Sequence, residues 1–200
     1  MKSDDLLHIL ILAVVLFSVL YVLYVFTVGV RETAMESVGL ISSVGLISSV
    51  GLISSVDDDL RTPSPLTSTD LDRAFKAIGA DSMIGLGKAF KLAEAEYGVN
   101  AAFLAAVAVH ESGKGTSRIA REKNNLFGWG AVDHDPYISA STFSILESGI
   151  SFVAYRLRTV YFDQLGLTTL RTVGSRYATD PEWADKVLYW VKRLQEEGKR

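Results

Sequence analysis

Residues 6–30, LLHILILAVVLFSVLYVLYVFTVGV, contain no Asp, Glu, Lys or Arg. A helix crosses a bilayer core with about 20 apolar residues, so the run is long enough to span. A cleavable leader has a shorter apolar region of about 7–15 residues and a small-residue cleavage site, and neither is found here. We therefore expect an uncleaved transmembrane anchor over 6–30, preceded by a tail at 1–5; the alternative is a helix buried in a protein core. Tyr21 and Tyr24 are expected toward the far interface, where aromatic residues are favoured. Lys2 and Arg31 flank the run on opposite sides, so basic residues orient it only weakly. With 200 residues in all, the remainder suffices for one domain and a spacer.

A six-residue repeat follows, SVGLIS at 37–42, 43–48 and 49–54. Six residues of helix advance about 600°, which scatters Val, Leu and Ile around the axis. An extended chain would instead keep each residue type on one face. Three copies are too few for a solenoid. The readings are a stalk, a second membrane-associated segment, or a strand-like self-association element. Asp57-Asp58-Asp59 ends the apolar stretch, and RTPSPLTST at 61–69 has linker composition. The expected organisation is thus a spacer and linker over 31–69 and one domain over 70–200.

Charge and cysteine content narrow the function. Net charge is −3, and from Asp70 onward basic and acidic residues nearly cancel, leaving no basic stripe for nucleic acid. The absence of cysteine removes disulfide scaffolds, Cys-based zinc sites and thiol nucleophiles. It does not decide the compartment.

The pattern from Asp70 is helical. Helices are expected at 70–78, at 83–97 ending on Gly98, and at 101–112 between an Asn100 cap and Gly113. Residues 114–142 read as loops with a short hairpin. Further helices are expected at 147–162, at 168–174, and from Pro181 to about 197.

The chemistry begins at Ala108-Val109-His110-Glu111-Ser112-Gly113. Glu111 sits in the last turn of an apolar helix, where the helix dipole disfavours an anion. Desolvation acts in the same direction, and a carboxylic acid that keeps its proton can deliver it to a leaving oxygen. His110-Glu111 does not continue into the zinc motif H-E-x-x-H, because position 114 is Lys; His110 reads as a structural residue. Asn124-Asn125-Leu126-Phe127-Gly128-Trp129-Gly130 supplies amides and aromatic faces of the kind that hydrogen-bond and stack on sugars, with Phe127 also suited to plug a turn. In Arg176-Tyr177-Ala178-Thr179-Asp180-Pro181-Glu182-Trp183, a capping Asp180 and a first-turn Pro181 are structural. Tyr177 and Trp183 are left without a structural reason.

HESGKGTSRIA at 110–120, KNNLFGWGAVDHDPY at 123–137 and RYATDPEWADKV at 176–187 together resemble glycoside hydrolase family 73, the bacterial endo-β-N-acetylglucosaminidases that cut peptidoglycan. The resemblance covers about 70–197. It implies an α+β, mostly α, lysozyme-like fold: a helical lobe, a small β-lobe and a groove between them. It implies cleavage of the N-acetylglucosaminyl-β-1,4-N-acetylmuramic acid bond, with Glu111 as general acid and Tyr177 as the aromatic residue near it. Glycan contacts fall on Asn124, Asn125, Phe127 and Gly128, with Trp129 and Tyr137 in the same motif. No metal or organic cofactor is implied.

A second carboxylate is less defined. Glu122, Asp133, Asp135 and Glu147 are candidates, and Asp133 is favoured because AVDHDP resembles the family's A-Y-D-x-x-P segment, with Val132 in place of Tyr. A substrate-assisted route through the 2-acetamido group needs no second carboxylate. The expected protein is a single-pass membrane protein whose domain faces the wall, with peptidoglycan strands and the membrane as partners. The rival readings are lytic transglycosylase-like cleavage, a virion-associated wall-opening enzyme and a non-catalytic glycan-binding module.

Overall fold

The computed structural model describes residues 51–200. The expected membrane anchor at 6–30 and the first two hexads lie outside the described residues. Among the described residues no helix is long and apolar enough to cross a membrane.

The helices, in order, are α1 (Ser68–Ala77), a 3₁₀ turn (Asp81–Met83), α2 (Gly87–Tyr97), α3 (Ala101–Ser112), α4 (Arg118–Lys123) and α5 (Pro136–Ser139). α6 (Leu146–Arg156) follows and runs on as a π-helical segment (Leu157–Gln164). α7 (Leu170–Tyr177) and α8 (Trp183–Gly198) complete the chain. The centre is α3. Ala101 to Val109 are all buried, as expected of a helix that is apolar all round. Its alanines let α2 and α8 approach closely, and α8 makes its most extensive contacts with α3 and α1. At the start of α3, Asn100 Oδ1 accepts from Phe103 N at 3.0 Å. At its end, Gly113 adopts φ 57°, a left-handed conformation that glycine reaches without a Cβ penalty. α8 buries Val187, Val191 and Leu194, the spacing of one helical face.

Two expectations require correction. The first is the small β-lobe. The described residues contain no strand beyond an isolated bridge between Asp59 and Thr169, and 124–142 folds as turns around α5. Side-chain amides close this loop in place of a ladder. Asn125 Nδ2 donates to Trp129 O at 3.0 Å and to Ser141 O at 2.9 Å, and Asn125 Oδ1 accepts from Trp129 N at 3.1 Å.

The second is the boundary at Asp70. Residues 51–67 form a strap packed onto the helical body. Ile53, Leu60 and Leu66 are 2%, 0% and 1% exposed. Leu60 N donates to Thr168 O at 2.9 Å, Arg171 N to Val56 O at 2.9 Å and Asn100 N to Leu60 O at 2.8 Å. The buried Glu94 carboxylate accepts from Ser64 N at 2.6 Å and Ala101 N at 2.8 Å, and pairs with Lys91. Pro, Ser, Thr and Asp give this segment linker composition, but the helical body satisfies its backbone groups, so it folds as part of the domain.

The strap also carries a pH dependence. The Arg171 guanidinium holds the Asp57 carboxyl below the usual range, and the Ser54 and Ser55 amides do the same for Asp58. A carboxylate lowered in the folded state stabilises it fully above the unfolded pKa of about 3.9 and loses that contribution as pH falls through the folded value. The thermal midpoint should therefore fall as pH drops from about 5 to about 3. Asp58→Asn should flatten part of that slope. An unchanged slope in the variant would remove Asp58 from the account.

Candidate active site

The last turn of α3 is fixed from both sides. Ser112 Oγ donates to Ala108 O and accepts from Gly115 N at 2.7 Å, and Ser112 O accepts from Ser117 N at 2.9 Å. This anchors the half-buried Glu111 one residue earlier. Glu111 Oε1 accepts from the indole Nε1 of Trp183 at 2.7 Å. Trp183 opens α8, is 2% exposed, and stacks on Tyr177 with ring centroids 4.9 Å apart and planes at 27°. Tyr161, from the π-helical segment, lies 6.1 Å from Tyr177. Such segments recur at functional sites because the extra residue per turn redirects side chains. Gly174 lets α7 reach Trp183, since a Cβ there would meet Trp183 Cε3 at 2.9 Å.

These side chains line a cleft of about 580 Å³ with His110, Phe127, Gly128, Trp129, Asp133 and Asp180. The Tyr177 hydroxyl is buried and has no hydrogen-bond partner among the described residues. Burial, then the Glu111 and Tyr161 charges, push this phenol well above its ordinary range. It therefore keeps its proton at neutral pH and is available as a donor.

The expected site residues divide. Glu111, Asp133, Tyr177, Phe127, Gly128 and Trp129 all line the cleft. Asn124, Asn125 and Tyr137 are not among its lining residues. Asn124 Nδ2 donates to Phe143 O at 3.0 Å and Ser144 O at 3.2 Å, and Asn125 braces the loop as described. Both amides are engaged by backbone groups of the loop and its neighbours. Tyr137 OH donates to Glu122 Oε2 at 2.7 Å, with the Arg118 guanidinium 3.8 Å over its ring. Of the candidate second carboxylates, Glu122 is held in that cluster, Asp135 caps α5 by accepting from Ile138 N at 3.1 Å, and Glu147 lines a different hollow. Asp133 alone of the four shares the cleft with Glu111.

The cleft residues not assigned from sequence include Trp183, Tyr161 and Asp180. Asp180 Oδ1 accepts from Glu182 N at 2.9 Å and its Oδ2 pairs with Lys186 at 2.7 Å. Lys186 holds its carboxyl below the usual range. The unexplained Tyr177 and Trp183, six positions apart across a Pro-containing turn, were the available signal.

Glu111 thus ends a buried helix and faces an aromatic-walled cleft. The chain belongs to the glucosaminidase family, described as mannosyl-glycoprotein endo-beta-N-acetylglucosaminidase, whose model matches residues 87–196. Two Streptococcus pneumoniae proteins (serotype 4 strain TIGR4 and strain R6), provisionally named endo-beta-N-acetylglucosaminidases, are each 34% identical over 144 residues. The alignment takes in 69% of this chain but only 22% and 20% of those longer proteins. Among solved structures, S. aureus autolysin E in complex with a muropeptide aligns with TM-score 0.57 at 22% identity, covering 78% of this chain and 79% of that one. A catalytic mutant of the same autolysin with the disaccharide NAG-NAM gives 0.56 at 23% identity, covering 78% and 80%. These likenesses establish the fold.

Proposed function

We propose that the domain is a peptidoglycan hydrolase that cleaves the β-1,4 bond between N-acetylglucosamine and N-acetylmuramic acid. The observation that carries this reading is the Glu111 carboxyl group held by the Trp183 indole in an aromatic-lined cleft. Membership of the glucosaminidase family supports it. Glu111 in its acid form gives its proton to the glycosidic oxygen as the C1–O bond breaks. The sugar ring takes up positive charge at C1, and the Glu111 carboxylate remains as the base for an incoming water. Trp183 fixes the carboxyl through one oxygen and leaves the other for proton transfer. Asp133 makes no hydrogen bond among the described residues and is the protein group proposed to stabilise the charged ring; the 2-acetamido group of the substrate is the alternative.

Tyr177 is the proposed donor to a substrate oxygen. Burying its hydroxyl unpartnered costs about 1–3 kcal/mol, which a ligand acceptor would offset. Tyr177→Phe should therefore keep or raise the thermal midpoint while lowering turnover about tenfold or more. A variant less stable than wild type and equally active would contradict this role.

The apolar run at 6–30 is proposed to anchor the chain with its N-terminus inside and the domain on the wall side. A reporter fused after Arg200 and active only outside the cytoplasm would support that topology; cytoplasmic activity would overturn it. The catalytic reading is tested by zymography of the full chain in a gel containing purified cell walls. Clearing at 21.8 kDa is expected, and an intact gel after refolding would overturn the reading.

A further inference from the structure

A second groove opens beside the cleft, and His110 forms part of the wall of both. Its volume is about 540 Å³, and Glu182, Asp185, Lys186, Tyr189 and Trp190 complete its lining. That volume falls within the usual range of small-molecule sites, about 300–1,000 Å³. Nothing in the proposed proton transfer at Glu111 uses these side chains.

Three observations define what the groove can hold. The first is its aromatic content. α8 buries Val187, Val191 and Leu194, but Tyr189 points off that face and is 57% exposed. It meets the neighbouring Trp190 edge to face, with ring centroids 5.1 Å apart at 71°. Trp190 is held in place by the Lys114 ammonium, 5.4 Å from its ring centroid, and Lys114 Nζ itself donates to Ile78 O at 2.9 Å. The pair is thus a supported platform, with apolar faces beside polar edges.

The second observation is the polar lining. Lys186 is engaged by Asp180 at 2.7 Å and Glu182 at 3.2 Å. Asp185 has no hydrogen bond or ion pair among the described residues and is free to accept from hydroxyl or amide donors. Glu182 and Asp185 outweigh the single Lys186, so the fixed charge disfavours a polyanion such as a phosphodiester polymer. Aromatic faces with acceptor carboxylates suit an uncharged ring bearing hydroxyl and acetamido donors, as the N-acetylglucosamine units of a strand do. The third observation is continuity: His110 is shared by the walls of the cleft and the groove.

We propose that this groove is an accessory glycan-binding site, in which Tyr189 stacks on a sugar ring and Asp185 accepts its hydroxyl or amide protons. It takes the part of the same strand that extends beyond the cleft. The inference rests on the peptidoglycan reading above. In its simplest form it makes the enzyme prefer long strands over short ones.

The test compares kcat/KM for long, peptide-free glycan strands with kcat/KM for a tetrasaccharide of alternating N-acetylglucosamine and N-acetylmuramic acid. Wild type should favour the long strands. Tyr189→Ala should lower that ratio about tenfold, as expected for loss of one aromatic stacking contact. Tyr189→Phe, which keeps the ring, should restore most of it. Asp185→Asn should lower the ratio less. Binding of purified sacculi by Glu111→Gln, with and without Tyr189→Ala, gives a readout independent of turnover, and the second substitution should weaken it by a similar factor. A Tyr189→Ala enzyme with the wild-type ratio and wild-type sacculus affinity would overturn the accessory site and leave the catalytic reading intact. A wild-type protein that cuts neither substrate would overturn both.

Discussion

Glu111→Gln is expected to reduce glycan cleavage by at least about 10²–10⁴-fold, the range that general acid–base catalysis contributes, and to leave the fold unchanged. The amide keeps the side chain's shape but has no proton to transfer at the glycosidic oxygen. It also retains an oxygen in place of Oε1, so the 2.7 Å hydrogen bond from the Trp183 indole can persist. The cleft therefore loses its acid without losing the contact that orders α8 against α3. Glu122→Gln and Glu147→Gln are suitable controls. The first lies in the Arg118–Tyr137 cluster and the second in a hollow on α2 and α6, and both variants should retain most activity. Zymography and thermal unfolding of the three variants check the expectation. Near wild-type cleavage by Glu111→Gln would remove the proposed mechanism.

The second large effect concerns the strap. A chain beginning at Asp70 lacks Ile53, Leu60 and Leu66, all buried against the helical body. Full burial of each such side chain contributes about 1.5–3 kcal/mol. Together these contributions are comparable with the about 5–15 kcal/mol that holds a typical domain folded. The truncation also leaves the buried Glu94 without the Ser64 amide and the Asn100 N–H without its acceptor, Leu60 O. Such a chain should show no cooperative thermal transition, or one lowered by more than about 15 °C, whereas one beginning near residue 48 should unfold cooperatively. Calorimetry distinguishes them. Equal midpoints for the two would mean that the strap is a passive linker.

The two predictions fall on opposite sides of what could be read from sequence. Glu111 was legible because its context is local: an apolar helix, a capping Asn100, a terminating Gly113, and an acid placed against the dipole. α3 matches its expected bounds of 101–112 for the same reason. The strap was not legible because its partners are distant. Leu60 pairs with Thr168 and Asn100, and Ser64 with Glu94, while its own composition signals only a linker. The internal bonding of the loop at 124–135 was not legible for another reason. Asparagine amides suit a sugar, but they suit backbone carbonyls equally, and Asn125 is 0% exposed with its donors and acceptor used inside the loop. Trp183 lay within a noted motif, yet only the approach of α8 to α3 reveals its partner as Glu111. Tyr161 depends on the π-helical turn at Leu157–Gln164, which no simple periodicity announces.

The most direct test of the central proposal is mass spectrometry of the muropeptides released from purified peptidoglycan by the full chain, with and without borohydride reduction. Cleavage after N-acetylglucosamine should yield products that end in reducible N-acetylglucosamine, and Glu111→Gln should release none. Products ending in reducible N-acetylmuramic acid, or in its 1,6-anhydro form, would show that the enzyme cuts the other bond and would contradict the assignment.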